Sequence, residues 1–122
     1  MATNFQIERS SQGAVRVLAL DGYLDAHTAP QFENAIQEEM QAGNLNMIVD
    51  CGRLTYISSA GLGVFMSFIE EIRDAGGDIK LASIAPKVYQ VFEVLGFPAL
   101  FDILESVEAA AARFADGPRK EF

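Results

Sequence analysis

The sequence predicts an α/β fold: one domain, with a mixed β-sheet of four to five strands and about four helices packed on it. Three observations predict it. Apolar and polar residues alternate from Phe5 to Leu20, which is strand periodicity. Beyond that point, short apolar runs alternate with stretches whose apolar residues recur at helical spacing. The chain has 122 residues, half of them hydrophobic, which suits a single core.

The elements follow in order. Phe5 to Ser10 alternates, Ser11-Gln12-Gly13 reads as a turn, and Ala14 to Leu20 alternates again, giving a β-hairpin. In "DGYLDAHTAPQF" the second strand ends and a helix opens. Thr28 is placed as its N-cap, with Pro30 in the first turn and Gln31 at the capping-box position. Phe32, Ala35, Ile36 and Met40 share one face, and Gly43 stops the helix. "LNMIVDC" is nearly all apolar, as expected of a central strand covered on both faces. "YISSAGLG" follows, and from Gly61 to Ala75 a stripe of Leu62, Phe65, Met66, Ile69 and Ile72 marks a second helix. Gly76-Gly77 ends it, and "DIKLAS" is a further strand. Pro86 opens a helix with a stripe of Val88, Val91, Phe92 and Leu95, closed by Gly96. "ALFDIL" reads as a short edge strand, and Ser106 to Phe114 as a last helix. Residues 1–115 form the domain, and 116–122 form a flexible tail. Each strand–helix–strand unit should cross over right-handedly, which makes those strands parallel.

Composition excludes several classes. Seventeen acidic residues against nine basic ones give a net charge of -8. Phosphate backbones and anionic lipid both need clustered Lys and Arg, so neither direct nucleic-acid binding nor membrane docking is expected. The charge permits a partner with a basic face. Cys51 is the single cysteine, so no intramolecular disulfide and no cysteine-based metal cluster can form. The start "MATNFQIERS" lacks the pattern of a signal peptide, and no apolar run reaches the length of a membrane span. A cytoplasmic location is expected.

The adjacent hydroxyls of Ser58 and Ser59 stand at a strand-to-helix junction. A helix N-terminus leaves N–H groups unpaired and carries partial positive charge. A hydroxyl there caps the helix, at about 1 kcal/mol. A phosphate there would accept several of those N–H bonds. Ala60, Gly61 and Gly63 keep the surroundings small, so that another protein could approach closely.

"IVDCGRLTYISSAGLGVFMSFIEEIRDAGGDIKLA" resembles the STAS domain, the family of bacterial anti-sigma factor antagonists. "LALDGYLDAHTAPQFENAI" and "VYQVFEVLGFPALFDILESVEAAAARF" resemble the family's segments before and after it. The resemblance implies a STAS-like fold and regulation by partner switching. The unphosphorylated antagonist binds an anti-sigma factor that is also a serine protein kinase, which releases a sigma factor. Phosphorylation at the serine motif dissociates that complex, and a PP2C-like phosphatase resets it. Carried over residue by residue, the phosphoacceptor is Ser59, with Ser58 as fallback. Well-known members have Asp where this chain has Ser58, and Ser or Thr where it has Ala60. Asp25 matches the family's "LD" aspartate, read either as a partner contact or as a turn residue ahead of Thr28. The partner-binding set is Asp25, Ser58, Ser59, Ala60, Gly61, Gly63 and Val64.

The remaining candidates are weighed on their spacing. Asp50 ends the third strand and borders the site. Val64 and Phe68 fall four apart, off the apolar stripe, so Val64 is read as part of an outward patch and Phe68 as buried; Tyr89 has the same two readings. His27, the only histidine, invites a serine-hydrolase reading with Ser59, but the G-x-S-x-G elbow is missing. "GLG" lacks the P-loop lysine, and no group of residues has metal-ligand spacing, so no nucleotide, cofactor or metal is expected. The alternative function is a STAS module whose partner is a different protein or a small molecule. In every reading but the hydrolase one the chain is not an enzyme.

Overall fold

β1 (Gln6–Gln12) and β2 (Val15–Leu24) form an antiparallel hairpin at one edge of a five-stranded sheet. The computed structural model describes residues 5–117. β3 (Asn46–Ile57), β4 (Asp78–Ala82) and β5 (Ile103–Leu104) follow in spatial order, each parallel to its neighbour. The helices are α1 (Ala29–Gln41), α2 (Ser59–Asp74), α3 (Pro86–Val94), α4 (Phe97–Leu100) and α5 (Val107–Ala115). The mixed sheet agrees with the sequence reading. The short helix α4 is additional. It takes up the first part of "ALFDIL", because Gly96 turns left-handed (φ 78°) and Pro98 suits a first helical turn.

The sheet is covered on both faces. Alternate residues of β3 and β4 (Met47, Val49, Ile79, Leu81) meet α1 to α4, where Phe65 is the hub of the core. The Phe65 ring stands edge-on to Phe32, Phe92, Phe97 and Phe101, with centroids 5.1 to 6.0 Å away. The other face, with Val15, Val17, Ile48 and Ala82, lies under Ala110 and Phe114 of α5.

Both β2 and β3 run well beyond their expected ends at Leu20 and Cys51. The register between them shifts at Ala19/Asp21 and again at Gly22/Tyr23. Each irregularity breaks the two-residue alternation, so Cys51, Leu54 and Ile57 are buried at a spacing of three. Asp50 therefore sits within β3, paired with Ala19 and Ala82, and not at a strand end beside the serines. Its Oδ1 accepts the Gly52 N–H at 3.0 Å.

Other expectations need correction. Met66 is 46% exposed, and Val91 and Leu95 are also exposed, so the stripes of α2 and α3 are narrower than their spacing suggests. Thr28 occupies the N-cap position of α1 without a side-chain capping bond, so no capping box forms with Gln31. Its hydroxyl donates instead to the Tyr23 carbonyl at 2.8 Å. Of the tail, Asp116 caps α5, and Pro118 onward lies outside the described residues.

Three charged residues are buried among the described residues: Glu39, Asp78 and Lys80. Glu39 takes Nε of Arg16 at 3.0 Å and Nδ2 of Asn44 at 2.9 Å, with Arg9 at 3.5 Å. Burial pushes its pKa up, but the Arg16 and Asn44 hydrogen bonds and the two arginine charges outweigh that and hold it below the ordinary value. Lys80 points from β4 toward α5. Its Nζ meets Asp78 at 3.0 Å and Asp102 at 2.8 Å, and lies 4.6 Å from the centre of the Phe114 ring. Paired on every side, a charge can stay in the interior.

Candidate functional site

β3 runs straight into α2, and the two serines divide the work of that junction. Ser58 is the N-cap: its backbone is extended, and its Oγ accepts the Gly61 N–H at 3.5 Å. Its own N–H donates to the Leu24 carbonyl at 2.9 Å, which ties the helix start to the end of β2. Ser59 is the first helical residue and is exposed. Its hydroxyl has no hydrogen-bond partner among the described residues. One serine is thus spent on structure, and the other is presented to solvent at the positive end of a helix.

The small residues differ in role. Ala60 and Gly63 are exposed. A Cβ on Gly63 would meet nothing within 4 Å. Gly61 is buried, and a Cβ there would lie 2.7 Å from Leu24 Cγ and 3.0 Å from Ile57 Cγ1. Its smallness serves the seating of α2 on the sheet, not the approach of a partner. Val64 is 4% exposed and faces the core, which corrects its reading as an outward patch. Phe68 is buried, as its spacing was read.

Asp25 is partly exposed and shapes the turn beside this junction. Its Oδ1 accepts the N–H groups of His27 at 2.9 Å and Thr28 at 3.2 Å. That agrees with the turn reading and leaves the carboxylate facing main-chain amides, not an imidazole. His27 is exposed, and no hydrogen bond joins its ring to either serine among the described residues. A hydrolase relay has no geometry to stand on. No three His, Cys, Asp or Glu side chains cluster to hold a metal among the described residues. No helix there is long and apolar enough to cross a membrane.

Sequence reasoning missed two residues on this rim. Tyr23 and Tyr56 are paired in register at the ends of β2 and β3, 57% and 48% exposed. Their rings lie 5.5 Å apart, tilted by 44°. The available signal was a tyrosine preceding an inward-facing Leu or Ile in both "GYLD" and "TYIS".

The α/β sheet thus offers one exposed, uncommitted serine at the start of α2. The STAS domain model matches residues 6–110, and the chain belongs to that family of anti-sigma factor antagonists. It is 37% identical over 98 residues to the anti-sigma factor antagonist BtrV of Bordetella bronchiseptica, covering 80% of this chain and 84% of that protein. The crystal structure of an anti-sigma factor antagonist from Mycobacterium paratuberculosis superposes with a TM-score of 0.84 at 19% identity, over 92% and 95% of the two chains. The Bacillus cell fate determinant SpoIIAA in its phosphorylated form is similar at 25% identity and a TM-score of 0.68, over 90% and 98%.

Proposed function

We propose that this chain is an anti-sigma factor antagonist that works by partner switching, with Ser59 as the switch. The observation that carries the reading is the division between the serines: Ser58 holds the helix, while the Ser59 hydroxyl is exposed and unbonded. The similarity to BtrV, named an anti-sigma factor antagonist, and to a protein solved in a phosphorylated form supports it. In the unphosphorylated state the α2 start, with Ser59, Ala60 and Gly63 outermost and Asp25 beside it, docks on an anti-sigma factor that is also a serine kinase. A sigma factor is released in the cytoplasm. The kinase then transfers a phosphoryl group from ATP to the Ser59 Oγ, and the hydroxyl proton leaves to the solvent or to a base of the kinase. Nearly two negative charges and a tetrahedral group now occupy a close-packed contact. Their desolvation opposes docking, and the complex parts. A PP2C-like phosphatase hydrolyses the ester and restores the binding form. The chain is ligand and substrate, not catalyst.

The test has two arms. Pull-downs from the native cell with wild-type, Ser59→Ala and Ser59→Asp baits should recover an anti-sigma factor on the first two only. The recovered kinase with ATP should then place phosphate on Ser59, mapped by mass spectrometry. Phosphate confined to Ser58 would move the switch to the capping residue.

A further inference from the structure

We propose that Tyr23 and Tyr56 form the aromatic anchor of the docking surface, and that the anti-sigma factor seats an arginine guanidinium on their rings. This rests on the partner-switching reading and deepens it by naming the chemistry the partner must bring.

The first argument is exposure. Two tyrosines stand largely in solvent on adjacent strands, with ring centroids 5.5 Å apart. They are carried by β2 and β3, so their backbone positions are set by the sheet and little main-chain freedom is lost on binding. Rigid exposed tyrosines are the residue type that anchors interfaces. The second argument is continuity. The next residues, Leu24 and Ile57, point into the core and carry Gly61 of α2. The Leu24 carbonyl holds the Ser58 N–H. The tyrosines therefore border the same strand ends that present Ser59.

The third argument is charge. Arg53, the cation on this stretch of β3, is engaged with Glu8 at 3.5 Å and Asp21 at 3.7 Å. Asp25 has no ion pair among the described residues, and the chain carries a net charge of -8. Asp21 and Asp25 flank Tyr23 in the chain, and the arginine of this stretch is already paired. A partner arginine is drawn there by the local field and held by the ring faces. For phosphorylation to release the complex, the guanidinium must sit on the rings out of hydrogen-bond reach of a phosphate on Ser59.

The test uses the full chain and the anti-sigma factor captured by the Ser59→Ala bait, purified and titrated calorimetrically. Tyr23→Ala and Tyr56→Ala should each weaken binding about 10-fold or more, as anchors do. Tyr56→Phe should bind like the wild type, because the ring remains. Tyr56→Leu, which keeps apolar area but has no π-face, should fall with the alanine variant. Leu95→Ala, at an exposed residue after α3, should change nothing. Melting curves verify that each variant is folded. Wild-type affinity in both alanine variants, with binding lost in Ser59→Asp, overturns the anchor and leaves partner switching standing. Leucine binding as well as phenylalanine overturns the guanidinium. A wild-type dimer in sedimentation velocity that Tyr56→Ala dissociates would assign the pair to a second copy and overturn the proposal. Failure of the wild-type and Ser59→Ala baits to recover any anti-sigma factor overturns both this proposal and the reading beneath it.

Discussion

Gly61 rests against Leu24 so closely that a single methyl group would come within 2.7 Å of the leucine Cγ. The contact sets α2, and with it Ser59, on the ends of β2 and β3. Gly61→Ala should cost about 1–3 kcal/mol through overpacking and lower the melting temperature. Gly63→Leu should melt at the wild-type temperature or above it, because its Cβ meets open space and glycine is a poor helix former. The same variant should weaken anti-sigma binding in a titration. Equal stability of the two variants would show that the glycines do not divide the work in this way.

Ser58→Ala removes the cap and should cost about 1 kcal/mol, toward the low end because the bond is long at 3.5 Å. Thermal melts measure that loss. Phosphorylation at Ser59 by the kinase should persist in the variant, as read by mass spectrometry.

Ser59→Asp should fold as well as the wild type. Its carboxylate meets the helix N-terminus, an interaction typically worth about 0.3–1 kcal/mol. Its affinity for the anti-sigma factor should fall, since docking strips water from a charge with no prepared counter-ion. Ser59→Ala should keep full affinity and nearly full stability, because this hydroxyl caps nothing. Equal affinity of all three forms by calorimetry would remove this surface as the switch.

Glu39 should make stability depend on acid pH. Its folded pKa is held below the ordinary carboxylate value of 4.5, so its stabilisation is complete above that value and is lost as pH falls through the folded pKa. Denaturant titrations from neutral to strongly acid pH should show the wild type losing stability more steeply than Glu39→Gln. Parallel curves would mean that the arginines contribute no differential stabilisation.

The helix and strand order was legible because each element carries one dominant periodicity. The length of β3 was not, because the register shifts against β2 erase the alternation that announces a strand. Spacing also misjudged Met66 and Val64, which lie on opposite flanks of one stripe: periodicity marks the centre of a buried face and leaves its edges open. Lys80 and Glu39 look like solvated charges in sequence, and only the arrival of Asp102 and Arg16 from distant segments makes their burial tolerable. At the serines, the sequence called for a cap but did not say which hydroxyl would supply it. The bond from Ser58 to the end of β2 decides that, and it is tertiary.

Cys51 lies wholly inside the core, where burial raises its thiol pKa far above neutrality, with the Asp50 charge adding to the effect. Thiolate is the reactive form, so native protein should leave iodoacetamide unreacted until it is denatured, as intact mass would show. A cell under oxidant attack would find no thiol handle on the native fold. The fold thus closes its one thiol to peroxide, and thiol oxidation has no route into whatever message the chain relays.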